Sequence, residues 1–433
     1  MVDEHSKTLH IAKAFKAEGD VAIRGWIYRK RSSGGKAFVL IRDRSGVIQC
    51  IVDKSKVTEK EWNDIDSAYL ESSIIVRGTI KNDERAPGGA EIEAKEIKVV
   101  HSGEQFPITE YQSPELLLDK RHLWLRSQRM TYAMKARSFV FRYARRYLDT
   151  HGFFEITPPM ITTSGGETGA NLFAVDYFGQ KAFLTESSQL YAEAMIFSLE
   201  KVYSFSPSFR AEKSRTVKHL AEYWHLEPEI AYYDNNKNME LQERLVSYIA
   251  NSFAKKHPDI LKFFNVNPDD LLAVKPPFKR ISYDEAIKVL QSKGSGKKWG
   301  DDFGVEEEKL LTENEPMPIF VYNWPKEIKA FYMSENPDDP KTVLCADMLA
   351  PHGHGEIIGG SQREWRYEKL LERMKELNMN IDNYGWYLEL RKYGSVPHAG
   401  FGMGIERVIK WLLNLDHIRD AIPFPRMINR LVP

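Results

Sequence analysis

Short runs of alternating apolar and polar residues fill the chain from about residue 19 to residue 100. Alternation with a period of two places successive side chains on opposite faces of a strand, and glycine or proline between the runs marks turns. The pattern therefore predicts short strands that form a small all-β barrel. The predicted strands cover residues 21–28, 37–43, 47–52, 73–78 and 90–94, with turns at Ser45-Gly46 and Pro87-Gly88-Gly89.

The alternation stops after this barrel, where proline and charged residues become frequent. We interpret residues 106–130 as a hinge between a first domain, residues 1–105, and a second domain, residues 131–433. Helix and strand patterns mix through the second domain. Within it, residues 240–335 have the pattern of an inserted helical segment, to which the sequence assigns no chemistry.

A helix opens the second domain. Its apolar face consists of Ala136, Val140, Ala144, Tyr147 and Leu148, which recur at helical spacing. The glycine at position 152 is a stop signal. Alone, such a helix is typical of a core element, so its meaning depends on the two motifs that follow.

The second motif is a hairpin with strands predicted over residues 202–210 and 223–231, joined by a basic loop. One face of the return strand is apolar, and the other offers groups that bind phosphates, carboxylates, bases or amines. An isolated motif of this kind is more often a solvated hairpin with surface ion pairs. The polar residues are Tyr223, His225, Glu227 and Glu229 on the return strand, Arg210 and Glu212 on the outgoing side, and Lys213, Arg215, Lys218 and His219 in the loop.

The third motif alternates glycine with other residues from Gly400 to Gly404 and continues as an amphipathic helix with Arg407 in its first turn. Glycines let a ligand approach the backbone closely, and a helix N-terminus with arginine suits phosphate. No Gly-Lys-Ser/Thr follows and no βαβ frame surrounds it. The motif is therefore neither a P-loop nor a dinucleotide fingerprint.

Composition limits the class of protein. With 433 residues, of which 42% are hydrophobic and 28% charged, the chain has a normal globular balance and the length for more than one domain. Without a signal peptide or an apolar run of ~20 residues, we expect a cytoplasmic protein with no membrane contact. Only Cys50 and Cys345 are present, which argues against disulfides or a cysteine zinc site. Basic and acidic residues number 61 each, so net charge gives no evidence about nucleic acid.

Together and in this order, the three motifs resemble the signature motifs of class II aminoacyl-tRNA synthetases. With an N-terminal barrel that resembles an OB-fold, the chain is similar to the subgroup for aspartate, asparagine and lysine. The resemblance implies an α+β multidomain fold, in which an OB-fold anticodon-binding barrel precedes a catalytic domain built on an antiparallel β-sheet flanked by helices. It also implies ATP-dependent activation of an amino acid, its transfer to tRNA, and a homodimer with Pro159 at the interface.

By the same resemblance, the second and third motifs bind ATP. Lys218 stands where the family usually has arginine, which keeps the charge but loses the bidentate geometry. The implied ATP-binding residues are Arg210 at the α-phosphate and the amino-acid carboxylate, His219 and Arg407 at the terminal phosphate, Tyr223 on the adenine, Glu212 and Glu356.

Magnesium is the expected metal, because Asp347 and Glu356 match the family's metal-binding positions. Carboxylates together with ATP phosphates and water are the ligands that Mg²⁺ prefers. We expect the amino-acid carboxylate to attack the α-phosphorus in line, with Arg210, Arg407 and Glu356 as the catalytic residues. Alignment and charge neutralisation would accelerate this step, without a protein base or nucleophile.

Two positions indicate which amino acid is used. Relatives specific for aspartate carry an arginine and a lysine around the substrate carboxylate. Here Arg363 matches the arginine, but Ala192 replaces the lysine and Glu227 replaces a shorter aspartate. A carboxamide needs a donor for its oxygen and an acceptor for its NH₂, which Arg363 and Glu227 supply. We therefore expect L-asparagine and tRNA(Asn) as substrates, with aspartate repelled by Glu227.

The remaining implied residues complete the two binding sites. Gln189 is expected to bind the amino acid, and residues 164–170 resemble the family's flipping loop, in which Glu167 would hold the α-ammonium. In the barrel, Phe38 and Gln49 match positions that stack on and hydrogen-bond the central anticodon base. Arg29 is expected at a backbone phosphate. Without the resemblance Phe38 fits a core position equally well, and the sequence leaves open whether Glu91 or Glu93 faces the anticodon.

Two alternatives remain at this point. One is an aspartate-specific or non-discriminating member of the same subgroup. The other is an RNA-binding paralogue that kept the fold and lost aminoacylation. Retention of Arg210, Glu356 and Arg407 argues against the second alternative.

Overall fold

The chain divides into two compact units, Met1–Leu117 and Leu118–Pro433. The computed structural model describes residues 7–109, 111–163, 172–213 and 216–433. The predicted fold class is confirmed, because a closed β-barrel precedes a unit with a large, mainly antiparallel sheet and helices. The boundary between the units lies within the predicted hinge.

Unit 1 is a five-stranded closed barrel, and its described residues before the unit boundary form two short helices. Its elements are α1 (Ile11–Ala14), β1 (Asp20–Ser33), β2 (Lys36–Arg42), β3 (Val47–Asp53), α2 (Glu59–Ser67), β4 (Ser73–Asn82) and β5 (Ala90–His101). The strand order is β1-β2-β3-β5-β4, and only β3 and β5 run parallel. The inward side chains, among them Ile23, Val39 and Ile41, are fully buried, which is why the alternating pattern predicted these strands.

Helix α2 is placed by local signals. Thr58 caps it, and Thr58 and Glu61 form a reciprocal capping box that satisfies main-chain N–H groups at the helix start. Trp62 and Ile65 turn inward onto the barrel core. The ammonium of Lys30 closes the other end by donating to the carbonyls of residues 65, 66 and 68.

Unit 2 contains an eight-stranded sheet of order β12-β13-β14-β15-β16-β11-β10-β6 and a three-stranded sheet of order β7-β9-β8. Its elements, starting with a helix at the unit boundary, are α3 (Pro114–Asp119), α4 (Arg121–Trp124), α5 (Gln128–Thr150), β6 (Phe154–Ile156), β7 (Ile161–Thr162), β8 (Ala174–Tyr177), β9 (Gln180–Leu184), α6 (Gln189–Leu199), β10 (Lys201–Phe209), β11 (Glu222–Ala231), α7 (Asn235–Lys256), α8 (Pro258–Phe263), α9 (Pro268–Leu272), β12 (Lys279–Ser282), α10 (Tyr283–Ser292), α11 (Val305–Thr312), β13 (Ile319–Tyr322), β14 (Cys345–Ala350), β15 (Gly355–Arg363), α12 (Tyr367–Glu376), α13 (Gly385–Glu389), β16 (His398–Gly404) and α14 (Ile405–Leu412).

The core of unit 2 lies between the large sheet and the helices α5, α7 and α14. The apolar face predicted for α5 is buried, including Ala136, Val140 and Leu148. The predicted hairpin is the antiparallel pair β10 and β11, and β11 also pairs with β16 from the third motif. The second and third motifs therefore lie side by side at the centre of the sheet.

The segment 240–335 differs from the prediction of an inserted helical segment. It contains β12 and β13, which extend the large sheet through β14. Each strand is only four residues long. In β13, Ile319, Phe320 and Val321 are all buried, so its sequence shows no alternation. The prediction missed these two strands, because a strand of four residues cannot be told from a helix segment by its pattern.

The second half of the predicted hinge belongs to unit 2. Arg121 is buried, and its guanidinium donates to the carbonyls of Arg419, Ile422 and Pro423 near the C-terminus. A contact across about 300 residues of chain has no local signal in the sequence. Among the described residues, none of the helices combines the length and the apolar character that crossing a bilayer requires.

Candidate active site

Two adjoining cavities over the centre of the large sheet collect most of the predicted site residues. The larger, about 270 Å³, is lined by Gln189, Arg210, Glu227, Asp347, Glu356 and Arg363 among others. The smaller, about 60 Å³, is lined by Arg210, Lys218, His219, Tyr223, Glu356 and Arg407 among others. Arg210 and Glu356 line both cavities. The residues predicted for the amino acid and for ATP therefore face one continuous region.

Arg363, at the end of β15, is fixed by two neighbours. Its Nε and Nη2 donate to the two carboxylate oxygens of Glu229, each at 3.0 Å, and its Nη1 donates to Ser361 Oγ at 2.8 Å. Burial acts against the charge of Arg363, but Glu229 outweighs it and raises the pKa of the guanidinium. Strand parity placed Glu229 on the same face as Glu227, but no pattern in the sequence indicated that it pairs with Arg363.

Glu227 is held by the turn that precedes α6. Its Oε1 accepts from the hydroxyl of Ser187, and its Oε2 accepts from the main-chain N of Ser188 at 2.9 Å and from the Ser188 hydroxyl. Burial raises the pKa of Glu227, while these hydrogen bonds and the charge of Arg363 act to lower it. The sequence prediction missed both serines as partners of Glu227.

A buried polar network lies behind Glu229. Glu193, Glu229 and His398 approach one another closely, and Glu193 accepts from Arg391, Tyr387 and His398. The amide of Gln189 also donates to Glu193, at 3.0 Å. Arg391 and Arg363 pair with the carboxylates of Glu193 and Glu229, because a buried charge without a partner is strongly destabilising. Because its members are spread over about 200 residues, no motif in the sequence could reveal this network.

Asp347 and Glu356 converge above Gly359. A Cβ at Gly359 would lie 3.2 Å from Glu356 Oε1 and 3.5 Å from Asp347 Oδ1, so only glycine leaves the space between them clear. Lys329 donates to Asp347 at 2.6 Å, and Arg407 lies 3.1 Å from Glu356. Two partly buried carboxylates that share one open space fit Mg²⁺, which binds through one or two carboxylates plus phosphates.

The electrostatics of these two acids differ. Burial raises the pKa of Asp347, although the ammonium of Lys329 opposes the shift. Burial also acts to raise the pKa of Glu356, but Arg407, Lys329 and Arg210 together outweigh it and lower the pKa to about 2. Glu356 is therefore the carboxylate that stays charged most firmly.

The predicted ATP residues other than Glu212 line the smaller cavity. The guanidinium of Arg210 lies 5.7 Å from the ring centre of Tyr223, and Glu212 lies 3.9 Å from His219. Burial lowers the pKa of His219, and the charge of Arg407 adds to this effect. Lys218 pairs with Glu308 on α11, a residue that the sequence left without a role.

In unit 1, the predicted anticodon residues share the outer face of the barrel. Phe38 lies outside the core that contains its neighbour Val39, and the guanidinium of Arg31 lies 4.7 Å from its ring centre. Gln49 donates to Glu91 at 2.8 Å, which places Glu91 beside it. Arg29 is exposed on β1. A core position for Phe38, left open by the sequence, does not match the structure.

The remaining predictions concern the dimer interface and the flipping loop. Pro159 is exposed after β6. Glu167 and the predicted flipping loop, residues 164–170, lie outside the described residues.

A family model for class II tRNA synthetases (D, K and N) matches residues 113–428, and one for an OB-fold nucleic acid binding domain matches residues 21–100. This chain belongs to the class II tRNA synthetases of that group. Among curated relatives, the asparagine--tRNA ligases of Thermoplasma acidophilum and Thermococcus gammatolerans are 49% and 50% identical to it, over 95% of this chain and 96% of their own length.

The synthetase fold matches a solved relative over nearly its whole length. The crystal structure of asparaginyl-tRNA synthetase from Pyrococcus horikoshii complexed with asparaginyl-adenylate has a TM-score of 0.96 and 48% identity, covering 99% of this chain and 100% of that chain. The predicted family, its subgroup and the barrel-first domain order of this synthetase are confirmed.

Proposed function

We propose that this protein activates L-asparagine with ATP and transfers it to tRNA(Asn), giving Asn-tRNA(Asn), AMP and diphosphate. The observation that carries the choice of amino acid is the pair of Arg363 and Glu227 in one cavity. Each Nη of Arg363 carries two N–H groups, and the bonds to Ser361 and Glu229 use one of each, so a second N–H on each nitrogen can donate to the amide oxygen. Glu227 supplies the acceptor for the amide NH₂.

Ser187 and Ser188 contribute to the proposed selectivity for asparagine over aspartate. Donors from Ser187 and Ser188 favour the ionised form of Glu227, which accepts hydrogen bonds and donates none. An aspartate side chain would bring a second negative charge to this buried group. The proposal of an aspartate-specific enzyme is therefore less well supported than the proposal of an asparagine-specific one.

For the first step, we propose that the asparagine carboxylate attacks the α-phosphorus and diphosphate leaves. Arg210 lines both cavities, which suits a cation that neutralises the α-phosphate while holding the attacking carboxylate. His219 and Arg407 would bind the terminal phosphate. Mg²⁺ held by Asp347 and Glu356 would neutralise phosphate charge when bound. The terminal ribose hydroxyl of tRNA then attacks the activated carbonyl, and AMP leaves.

For the assembly, we propose a homodimer with Pro159 at the interface. Phe154, in the strand just before Pro159, is 55% exposed, and an open groove of about 1110 Å³ runs along α5. Apolar exposure beside the first motif supports a partner surface there. The location in the cytoplasm stays a prediction from the sequence.

Charging of tRNA(Asn) with radiolabelled asparagine by the purified protein tests this function. We expect ATP-dependent accumulation of Asn-tRNA(Asn) that needs the cognate tRNA. Filter binding of the tRNA without any charging would support the non-charging paralogue instead.

A further inference from the structure

Lys218 lies near the end of the basic loop of the hairpin, and its ammonium contacts the carboxylate of Glu308 on α11. Both residues are buried, at 8% exposure each. The oxygen of Glu308 that binds Lys218 also accepts the main-chain N–H of Glu356, at 2.8 Å. One carboxylate oxygen therefore joins the loop that carries His219 to the start of the strand that carries Glu356.

The backbone beside the contact between Lys218 and Glu308 leaves space for these two side chains. Gly355 has a φ of +81°, and a Cβ there would lie 2.3 Å from Glu308 Oε2 and 2.8 Å from Lys218 Nζ. Any side chain at this position would displace the ion pair, and the left-handed backbone also favours glycine. The close approach of Glu308 to the backbone thus depends on Gly355.

Helix α11 also holds the turn that leads into Glu356. Thr312, in its last turn, accepts the N–H of His352 through its carbonyl at 2.9 Å and the N–H of Gly353 through its hydroxyl at 3.2 Å. Contacts from two turns of the same helix thus fix the main chain on the N-terminal side of Glu356. This assigns α11, in the segment without predicted chemistry, to the support of the phosphate and metal site.

The ion pair of Lys218 and Glu308 affects which cationic side chains are available to bind the phosphates of ATP. Arginine at position 218 would present several donors to a phosphate, whereas the lysine ammonium is a single point charge. In this chain Glu308 neutralises that charge within the described structure. The phosphate contacts are then left to Arg210, His219 and Arg407.

We propose that Glu308 is a positioning residue for ATP. It fixes Lys218 and the main chain of Glu356, and so sets the loop carrying His219 against the carboxylate that would bind magnesium. The inference deepens the proposed adenylate-forming function and rests on it for the role of the site.

The test compares Glu308→Gln with Glu306→Gln, a matched change at an exposed position in the first turn of the same helix. Binding of ATP with magnesium is measured by calorimetry, and KM values for ATP and asparagine by ATP–pyrophosphate exchange. We expect Glu308→Gln to weaken ATP binding and raise the KM for ATP about tenfold, the size expected for a lost charge-assisted hydrogen bond. The KM for asparagine should stay within about twofold, and Glu306→Gln should behave as the wild type.

Variants of Lys218 separate positioning from general stability. Lys218→Met should weaken ATP binding to the same degree as Glu308→Gln, and the double variant should be no worse than either single change. Lys218→Arg keeps the ion pair and should retain ATP binding. These measurements do not depend on Glu308→Gln alone, so a loss of folding in that variant leaves the comparison of Lys218→Met with Lys218→Arg.

Three outcomes would overturn the inference: unchanged ATP binding in both Glu308→Gln and Lys218→Met, effects that simply add in the double variant, or an equal rise in both KM values. A different result would contradict the proposed function. Wild-type protein that binds ATP but shows no asparagine-dependent exchange would contradict that function, while the ATP-binding comparison would still decide the role of Glu308.

Discussion

Ser188 donates twice to one oxygen of Glu227, through its main-chain N at 2.9 Å and through its hydroxyl. Ser188 is 1% exposed and Glu227 is 5% exposed, so water does not screen these bonds. The hydroxyl of Ser188 also contacts Ser204 on β10, which fixes its orientation. Because the hydroxyl of Ser187 donates to the other oxygen, both oxygens of Glu227 are held and the carboxylate faces the cavity in a defined direction.

Replacing Ser188 with alanine removes one of these donors and leaves the main-chain bond in place. We expect the kcat/KM for asparagine to fall about tenfold, because a hydrogen bond to a charged group contributes about 1.5–3 kcal/mol. Amino-acid-dependent ATP–pyrophosphate exchange measures this change. Ser198→Ala removes an exposed hydroxyl at the end of α6 and should have no effect. An unchanged kcat/KM in Ser188→Ala would show that the hydroxyl does not position Glu227.

Arg210→Ala is expected to abolish adenylate formation. The residue lines both cavities, and loss of one preorganised cation at a reacting phosphate costs about 10²–10³ in rate. Exchange should fall by that factor, while tRNA affinity in filter binding stays within about twofold because the predicted anticodon residues lie in the other unit. Arg244→Ala, at an exposed arginine of α7, is the matched control. Exchange that survives in Arg210→Ala would mean that this residue does not bind the α-phosphate.

Phe38→Ala should impair the charging of tRNA without impairing the activation of asparagine. Stacking of a base on an aromatic ring contributes about 1–3 kcal/mol, so we expect charging of tRNA(Asn) to fall roughly 5- to 150-fold. Exchange, which needs no tRNA, should remain near the wild-type rate. Tyr69→Ala removes another exposed aromatic ring of the same unit as a control. Equal losses in charging and exchange would indicate a structural role for Phe38 instead.

The sequence predicted those parts of the fold that repeat along the chain. The inward residues of β2, such as Val39 and Ile41, alternate with outward ones, and the buried face of α5 recurs with helical spacing. The motifs around Arg210 and Arg407 were informative because glycine, arginine and polar residues occur there at fixed local spacing. Local periodicity was sufficient for these elements.

The parts that the sequence did not predict are contacts between distant positions. Glu229 and Arg363 are 134 residues apart, and Lys218 and Glu308 are 90 residues apart. No local pattern around Glu229 or Glu308 in the sequence indicates which cation it pairs with. The choice of partner is made by packing of the large sheet, which brings β11 beside β16 and β16 beside β15.

The most direct test of the amide-binding pocket compares asparagine with aspartate in ATP–pyrophosphate exchange, for the wild type and for Glu227→Gln. Repulsion of a second carboxylate by Glu227 should cost about 2–4 kcal/mol, so the wild type should prefer asparagine by roughly 30- to 1000-fold in kcat/KM. In Glu227→Gln, whose neutral amide can also donate to a carboxylate, we expect most of this preference to disappear. A wild-type protein that uses aspartate as well as asparagine, or a Glu227→Gln variant with unchanged preference, would contradict the account.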